Sequence, residues 1–395
     1  KKWAAAIALA GSFGYFLLAG ASAPTERSFL MLAIAMLAIL LDRRPFSMRM
    51  VGWAAAAVVL VAPDSVLGPS FQMSFAAVVA LIAAYEVLRD PFVRWGRGAG
   101  LPRKAILYLA GIALSSLVAG VATAPYALYH FDRFSTYSLA ANLVAVPITG
   151  LWIMPWAVVS FVLMPFGLER FGLIPMGWGV DWMLEVGRTV ASWPGAAVTM
   201  PAMPAAGLAA VTIGGLWGCL WQARWRMLGI PLIVAGLATT WLAPRPDVLV
   251  SDDAGYMAVR AEGGGMWVSS ARSNFTTDTW LRREGLEQGQ RWPAVGNASA
   301  DGRLRCDRAG CLYRADGRLV ALVQEEEALA EDCRAADVVI AAVAVFVTCP
   351  ANVVIDRLDV WREGAHALRL EGDTIHVESV ADTRGQRPWV LPRPR

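Results

Sequence analysis

Histidine is scarce in this 395-residue chain: His130, His366 and His376 are the only three. A two-metal hydrolase gathers imidazoles and carboxylates around its ions, as in an H-x-H-x-D-H run. Three scattered imidazoles cannot supply one, so no metal site of that type is expected. Ser269, Ser270 and Ser273 lie close together, yet a serine nucleophile needs a positioned base, and they read as loop hydroxyls. The chain also lacks an internal repeat between 1–125 and 126–243, which argues against a transporter built from two matching halves. Charge of one sign is missing too: 35 Lys and Arg face 32 Asp and Glu, a net charge of +3. Bulk charge therefore gives no strong non-specific grip on nucleic acid. No catalytic constellation and no cofactor motif is expected.

Charged residues make up only 17% of the chain against 56% hydrophobic ones. That is too apolar for an ordinary globular protein and too charged for one embedded in lipid throughout. The average hides two parts. Residues 1–245 hold nearly every long apolar run, whereas 246–395 carry charges at short intervals. The boundary falls at Leu242-Ala243-Pro244-Arg245-Pro246-Asp247, where two prolines stop a helix and hold the exit extended. The fold class expected is a polytopic α-helical membrane domain followed by a soluble α+β domain.

Spans are expected over 3–20, 29–41, 50–62, 71–88, 105–127, 205–222 and 227–243. An irregular apolar region over 138–165 reads as a broken or re-entrant pair split at Pro147-Ile148-Thr149-Gly150. Several spans fall short of the ~20 residues a straight crossing needs, so they must thin the bilayer or pack inside a bundle. The arginine-rich connections at Asp42–Arg49, at 89–104 and at Arg224-Trp225-Arg226 are cytoplasmic under the positive-inside rule. Counting crossings from there puts the 128–137 loop, with His130, on the outer side. Residues 173–193, where Trp178 and Trp182 interleave with Asp181, Glu185 and Arg188, suit a helix lying in the outer interface, with one more tilted span as the alternative. The last span then exports the C-terminal domain.

Short hydrophobic runs at Met257-Ala258-Val259, Met266-Trp267-Val268, Leu319–Val323, Val338-Val339-Ile340 and Val353-Val354-Ile355 alternate with turns, as strands of an α+β domain do. Four of the five cysteines, Cys306, Cys311, Cys333 and Cys349, lie in this part, and an oxidising compartment would pair them. Cys306 and Cys311 precede an Asp316-Gly317 hairpin signal, which suits a disulfide pinning that hairpin better than a redox centre. Cys333 with Cys349 is the natural second pair, although four cysteines allow three connectivities.

Polar side chains at membrane depth are expensive and face a bundle interior or a water-filled path. Three blocks carry them: Ala21–Ser28 with Glu26 and Arg27, Gly68–Phe75 with Gln72 and Ser74, and Ser138–Gly150 with Asn142 and Pro147. Glu26 also suits a helix start, Ser70 an N-cap, and Gln72 and Ser74 helix-to-helix hydrogen bonding. The candidate path-lining or gating residues are Glu26, Arg27, Gln72, Ser74, Asn142 and Pro147.

These blocks, Pro24-Thr25-Glu26-Arg27-Ser28-Phe29-Leu30-Met31, Leu41-Asp42-Arg43-Arg44, Gly68-Pro69-Ser70-Phe71-Gln72-Met73-Ser74-Phe75-Ala76-Ala77 and Ala141-Asn142-Leu143-Val144-Ala145-Val146-Pro147, resemble in order and spacing the competence domain of the ComEC family over about residues 1–240. The resemblance implies a bacterial inner-membrane channel of natural transformation that passes one strand of incoming DNA to the cytoplasm. Single-stranded DNA would be its transported substrate and the lipid bilayer its surroundings. Other competence proteins and further copies of the chain are candidate partners, and the C-terminal domain would be periplasmic. Family members usually carry an upstream domain with an oligonucleotide-binding-like fold. Nothing here matches it, and Lys1-Lys2-Trp3 opens directly onto an apolar helix without a signal-peptide cleavage site, so the expectation is the later portion of a longer protein. Many members end in a metallo-β-lactamase-like hydrolase, from which this chain departs in its histidines. The expected activity is thus conduction without chemistry. The alternatives are a membrane-anchored hydrolase with an unrecognised site in 246–395 and a small-solute transporter.

Overall fold

Apolar runs set the first helices: α1 (Lys2–Leu18), α2 (Ala23–Leu40), α3 (Met48–Val61), α4 (Pro69–Gly96) and α5 (Leu101–Phe131). Proline stands at the first or second position of α2, α4 and α5, where its missing N–H would have had no intrahelical acceptor. The structure is a computed structural model, described over residues 2–43, 47–98, 100–270 and 274–385; Arg44 of the basic connection and Ser273 lie outside the described residues. Two compact units emerge, Lys1–Val198 with Met203–Trp241, and Thr199–Ala202 with Leu242–Arg395.

The first unit is a helical membrane domain. Among the described residues, Pro69–Pro91, Leu101–Phe131, Ser138–Phe166 and Arg224–Leu242 are long and apolar enough to cross a membrane, and Lys2–Leu18, Met48–Val61 and Ala205–Leu220 are shorter apolar helices. Two sequence expectations fail at the end of α5 and the start of α4. His130 lies in the last turn of α5, not in a loop, because the apolar and aromatic run continues through Tyr126, Leu128 and Tyr129. Ser70 is not an N-cap: Gly68 caps α4 and Ser70 follows Pro69 inside the helix.

After the short strand β1 (Arg133–Ser135) the chain forms α6 (Ser138–Ile148), a single π turn (Thr149–Ile153) and α7 (Met154–Leu163). The expected break at Pro147 is absent: Ile148 (φ −60, ψ −46) and Thr149 (φ −62, ψ −49) stay helical, and 138–166 is one continuous apolar helix. Proline removes one N–H and crowds the carbonyl of the preceding turn. Widening to a π turn just after it accommodates the mismatch, and the Thr149 hydroxyl donates to the Ala145 carbonyl at 2.8 Å.

The stretch 173–193, expected as an interfacial helix or one more tilted span, is helical. α8 (Arg170–Ala191) runs antiparallel along the 138–166 helix. A Cβ on Gly172 would lie 2.7 Å from Ser160 N, one on Gly179 would lie 2.9 Å from the Ile153 side chain, and Met183 Sδ is 3.6 Å from Thr149 Oγ1. The contacts advance along α8 as they retreat along its partner. Glycine lets the two backbones meet here. Strand β2 (Ala197–Thr199), paired with β1, leads on to α9 (Ala205–Leu220) and α10 (Gly229–Leu242). This last hairpin closes on a glycine seam, where Cβ atoms on Gly214 and Gly236 would lie 2.6 Å from the carbonyl oxygens of Gly229 and Gly207.

The second unit is an α+β sandwich. A six-stranded sheet has the order β13-β12-β3-β4-β5-β6, from β3 (Val248–Val250), β4 (Met257–Arg260), β5 (Met266–Val268), β6 (Gln290–Arg291), β12 (His366–Glu371) and β13 (Thr374–Ser379). A five-stranded sheet has the order β11-β10-β9-β8-β7, from β7 (Leu304–Cys306), β8 (Gly310–Ala315), β9 (Arg318–Val323), β10 (Val338–Ala341) and β11 (Val353–Ile355). Each apolar run named above is one of these strands. Val248, Val250 and Val259 of one sheet meet Leu304, Tyr313, Val320, Leu322 and Ile340 of the other in the main core. Outside, α11 (Phe275–Arg283) covers Ala258 and Val268 through Leu281, and α12 (Leu329–Ala335) covers Ala321, Val323 and Val339. Two short helices, α13 (Arg357–Glu363) and α14 (Val380–Arg384), complete the unit. Cys306 and Cys311 face one another across β7 and β8 and are bridged, and a second disulfide joins Cys333 to Cys349.

Candidate functional site

Polar side chains gather where α2, α4 and α5 meet. Arg27, in the second turn of α2, is buried, with 8% of its surface exposed, and its Nη2 donates to the Ser70 hydroxyl of α4. Two residues on, the Gln72 amide donates to the Val66 carbonyl at 3.1 Å. That orientation leaves Gln72 Oε1 to accept from His130 Nε2 of α5 at 2.8 Å. The His130 ring stands edge-on to Tyr129, centroids 4.9 Å apart. One turn earlier, buried Tyr126 donates to Thr212 Oγ1 of α9 at 3.1 Å and packs with Met73, Ala76, Met203 and Leu208.

The local sequence explains the gathering. The short turn Pro63–Leu67 and the Gly68-Pro69 opening of α4 leave the Val66 carbonyl free for a side-chain amide. On α5, the spacing Tyr126, Tyr129, His130 puts three polar-tipped rings on one helical face.

The candidate residues do not all come together. Arg27 joins Ser70, and Gln72 joins His130. Ser74 is half-buried on the next turn of α4, and Glu26 is half-buried in the first turn of α2, where the helix dipole favours a carboxylate. Asn142 is exposed on α6, and Pro147 is half-buried ahead of the π turn. Sequence reading missed His130, and the signal that could have found it was the i, i+3, i+4 spacing of Tyr126, Tyr129 and His130, which carries the helix beyond 127.

In the sandwich the titratable groups act as staples. Ser269 Oγ accepts from the Met257 N–H at 3.0 Å. His366 is buried against the Gly364 carbonyl at 2.8 Å and Glu363 at 3.2 Å, while His376 lies on the neighbouring strand. Among the described residues no group of three or more His, Cys, Asp and Glu side chains comes together as a metal site would. Asp301 loses solvent by burial, yet hydrogen bonds from Ser299, the Glu262 and Arg303 N–H groups and the Trp267 indole hold its carboxyl down to about 2. Burial pushes the Tyr313 phenol up to about 12, and its hydroxyl donates to the Arg260 carbonyl at 2.9 Å. Arg260 in turn pairs with Glu284 at 2.9 Å.

The chain is similar to ComE operon protein 3 of Bacillus subtilis (strain 168), 26% identical over 164 residues, which is 42% of this chain and 19% of that protein. It is also similar to competence protein ComA of Neisseria gonorrhoeae, 43% identical over 100 residues, 24% of this chain and 14% of that protein. The matched stretches thus span less than a fifth of either relative. No solved structure matches the chain. The model of the competence protein family matches residues 1–225, the region that holds α1 to α9 and the Arg27, Gln72 and His130 group, and the chain belongs to that family.

Proposed function

We propose that this chain forms part of the inner-membrane conduit through which single-stranded DNA enters the cytoplasm during natural transformation, without chemistry of its own. The observation that carries the reading is the polar group Arg27, Ser70, Gln72 and His130 within the helical domain of a competence-family protein. Such groups are costly in lipid unless they serve a path or bind one another. Conduction of a polyanion needs fixed donors along its route, and this group supplies a guanidinium, an amide and an imidazole.

A periplasmic C-terminal domain is part of the proposal. The α9–α10 hairpin starts just after Thr199–Ala202 and ends where the sandwich begins, so both of its ends belong on one side. Its turn carries Arg224 and Arg226, which favour the cytoplasm. Two disulfides in the sandwich suit an oxidising compartment.

The test is uptake of labelled DNA by cells carrying wild type, Gln72→Leu or His130→Leu at equal membrane abundance. Loss of cytoplasmic DNA with surface-bound DNA intact is the expected outcome. Unchanged uptake in both variants would reduce the group to helix packing and remove the reading.

A further inference from the structure

Arg27 has more donors than partners. Its Nη2 reaches the Ser70 hydroxyl, whereas Nε and Nη1 are buried without a hydrogen-bond partner. No ion pair to Arg27 forms among the described residues. A buried, uncompensated guanidinium is destabilising, so its retention needs another cause.

The element it touches is also short of partners. α4 runs for 28 residues, and its N-cap is Gly68, which has no side chain to offer. The first N–H groups of a helix have no intrahelical acceptor and carry the positive end of the dipole. Pro69 has no N–H, which leaves those of Ser70 and Phe71, while Gln72 N–H reaches the Gly68 carbonyl at 3.3 Å. Ser70 links the two sets of donors, because its hydroxyl holds Arg27 and its backbone belongs to the uncapped turn.

We propose that Arg27 and the first turn of α4 bind one phosphodiester group. Two free oxygens on a tetrahedral phosphorus match a guanidinium edge on one side and helix N–H groups on the other. A single fixed positive charge balances a diester monoanion better than a doubly charged phosphate. Passing single-stranded DNA and an anionic phospholipid headgroup both present this chemistry; only the DNA source rests on the translocation reading.

The experiment uses the full chain in maltoside micelles, with thermal unfolding read in dimethyl phosphate against chloride at equal ionic strength. Wild type should gain several degrees. Arg27→Gln and Arg27→Met should gain none, and Ser70→Ala, which spares the charge, should gain less than wild type. Without the probe, Arg27→Met should unfold at the same temperature as wild type or higher, because an unpaired buried charge has gone. A purely structural arginine would instead give a lower temperature and an unchanged probe response. An equal response in wild type and all variants overturns the site and leaves translocation to the uptake assay. The source is then read with oligo-dT, its neutral methylphosphonate analogue and phosphatidylglycerol. Loss of about 0.7 from the slope of log affinity against log salt in Arg27→Gln, with no such change for the analogue, supports the site with DNA in it. An unchanged slope together with an Arg27-dependent shift from phosphatidylglycerol supports the site as a headgroup site.

Discussion

Replacing Gly214 by leucine should part α9 from α10, whereas the same change at Gly215 should be tolerated. A Cβ on Gly214 would stand 2.6 Å from the Gly229 carbonyl oxygen and 2.9 Å from the Ile233 side chain, while a Cβ on Gly215 meets nothing within 4 Å. An ordinary carbon–oxygen contact needs roughly 3.4 Å or more, so even alanine at 214 forces the helices apart by about 0.8 Å, and leucine by more. Overpacking of this kind costs about 1–3 kcal/mol. At 215 the only terms left are helix propensity, which favours leucine over glycine by up to about 1 kcal/mol, and added contact with lipid. Thermal unfolding of the two variants in the same detergent should therefore move in opposite directions. Equal shifts of one sign would refute the account of a backbone-to-backbone seam.

Denatured, unreduced protein should expose one reactive thiol, that of Cys219, and five after reduction, as counted by mass after alkylation; four or five before reduction would contradict the pairing and the oxidising compartment together. Breaking Cys333–Cys349, with a sequence separation of 16, should cost about 3 kcal/mol, and Cys306–Cys311, with a separation of 5, about 2, so denaturation of Cys333→Ala should come earlier than that of Cys306→Ala. Because the Asp301 carboxyl is held down to about 2 in the folded state against an ordinary value near 4, its contribution is fully present above about pH 4 and is lost as pH falls toward about 2. With allowance for solvent at this half-buried group the effect is on the order of 1–2 kcal/mol. Asp301→Asn should flatten the acid limb of a tryptophan-fluorescence stability profile between those values, and an unchanged limb would remove Asp301 as its source.

Much of the architecture was legible because it rests on composition and local chemistry. Pro24, Pro69 and Pro102 open helices, the prolines at 244 and 246 close the membrane unit, and the valine-rich runs are strands. What escaped was set by contacts distant in sequence. Pro147 reads as a break because proline removes a hydrogen bond, but a π turn absorbs that loss, and no single-residue rule signals it. Trp178 and Trp182 mark α8 in the sequence, but that Gly172 and Gly179 fit against Ser160 and Ile153 follows only from its packing on the 138–166 helix. Gln72 stood out as an amide needing partners. That one partner is His130 follows only from the packing of α4 on α5. Arg27 was visible as a charge at depth, but that two of its nitrogens go unmet is a property of the folded bundle.

The sandwich is not contiguous in sequence. Thr199–Ala202 belongs to it: Ala202 N–H bonds the Arg283 carbonyl at 2.8 Å, the Thr199 hydroxyl bonds the Gly285 carbonyl at 3.2 Å, and Gly285, at φ +77, leaves room for the Pro201 ring. During synthesis these four residues leave the ribosome before α9 and α10, and their partners leave well after. The short segment must therefore wait, unpaired, until the helical hairpin and then Arg283 to Gly285 have followed. Completion of the sandwich thus reports that the hairpin has been threaded, and a quality-control protease that senses the unpaired segment would clear chains in which it has not.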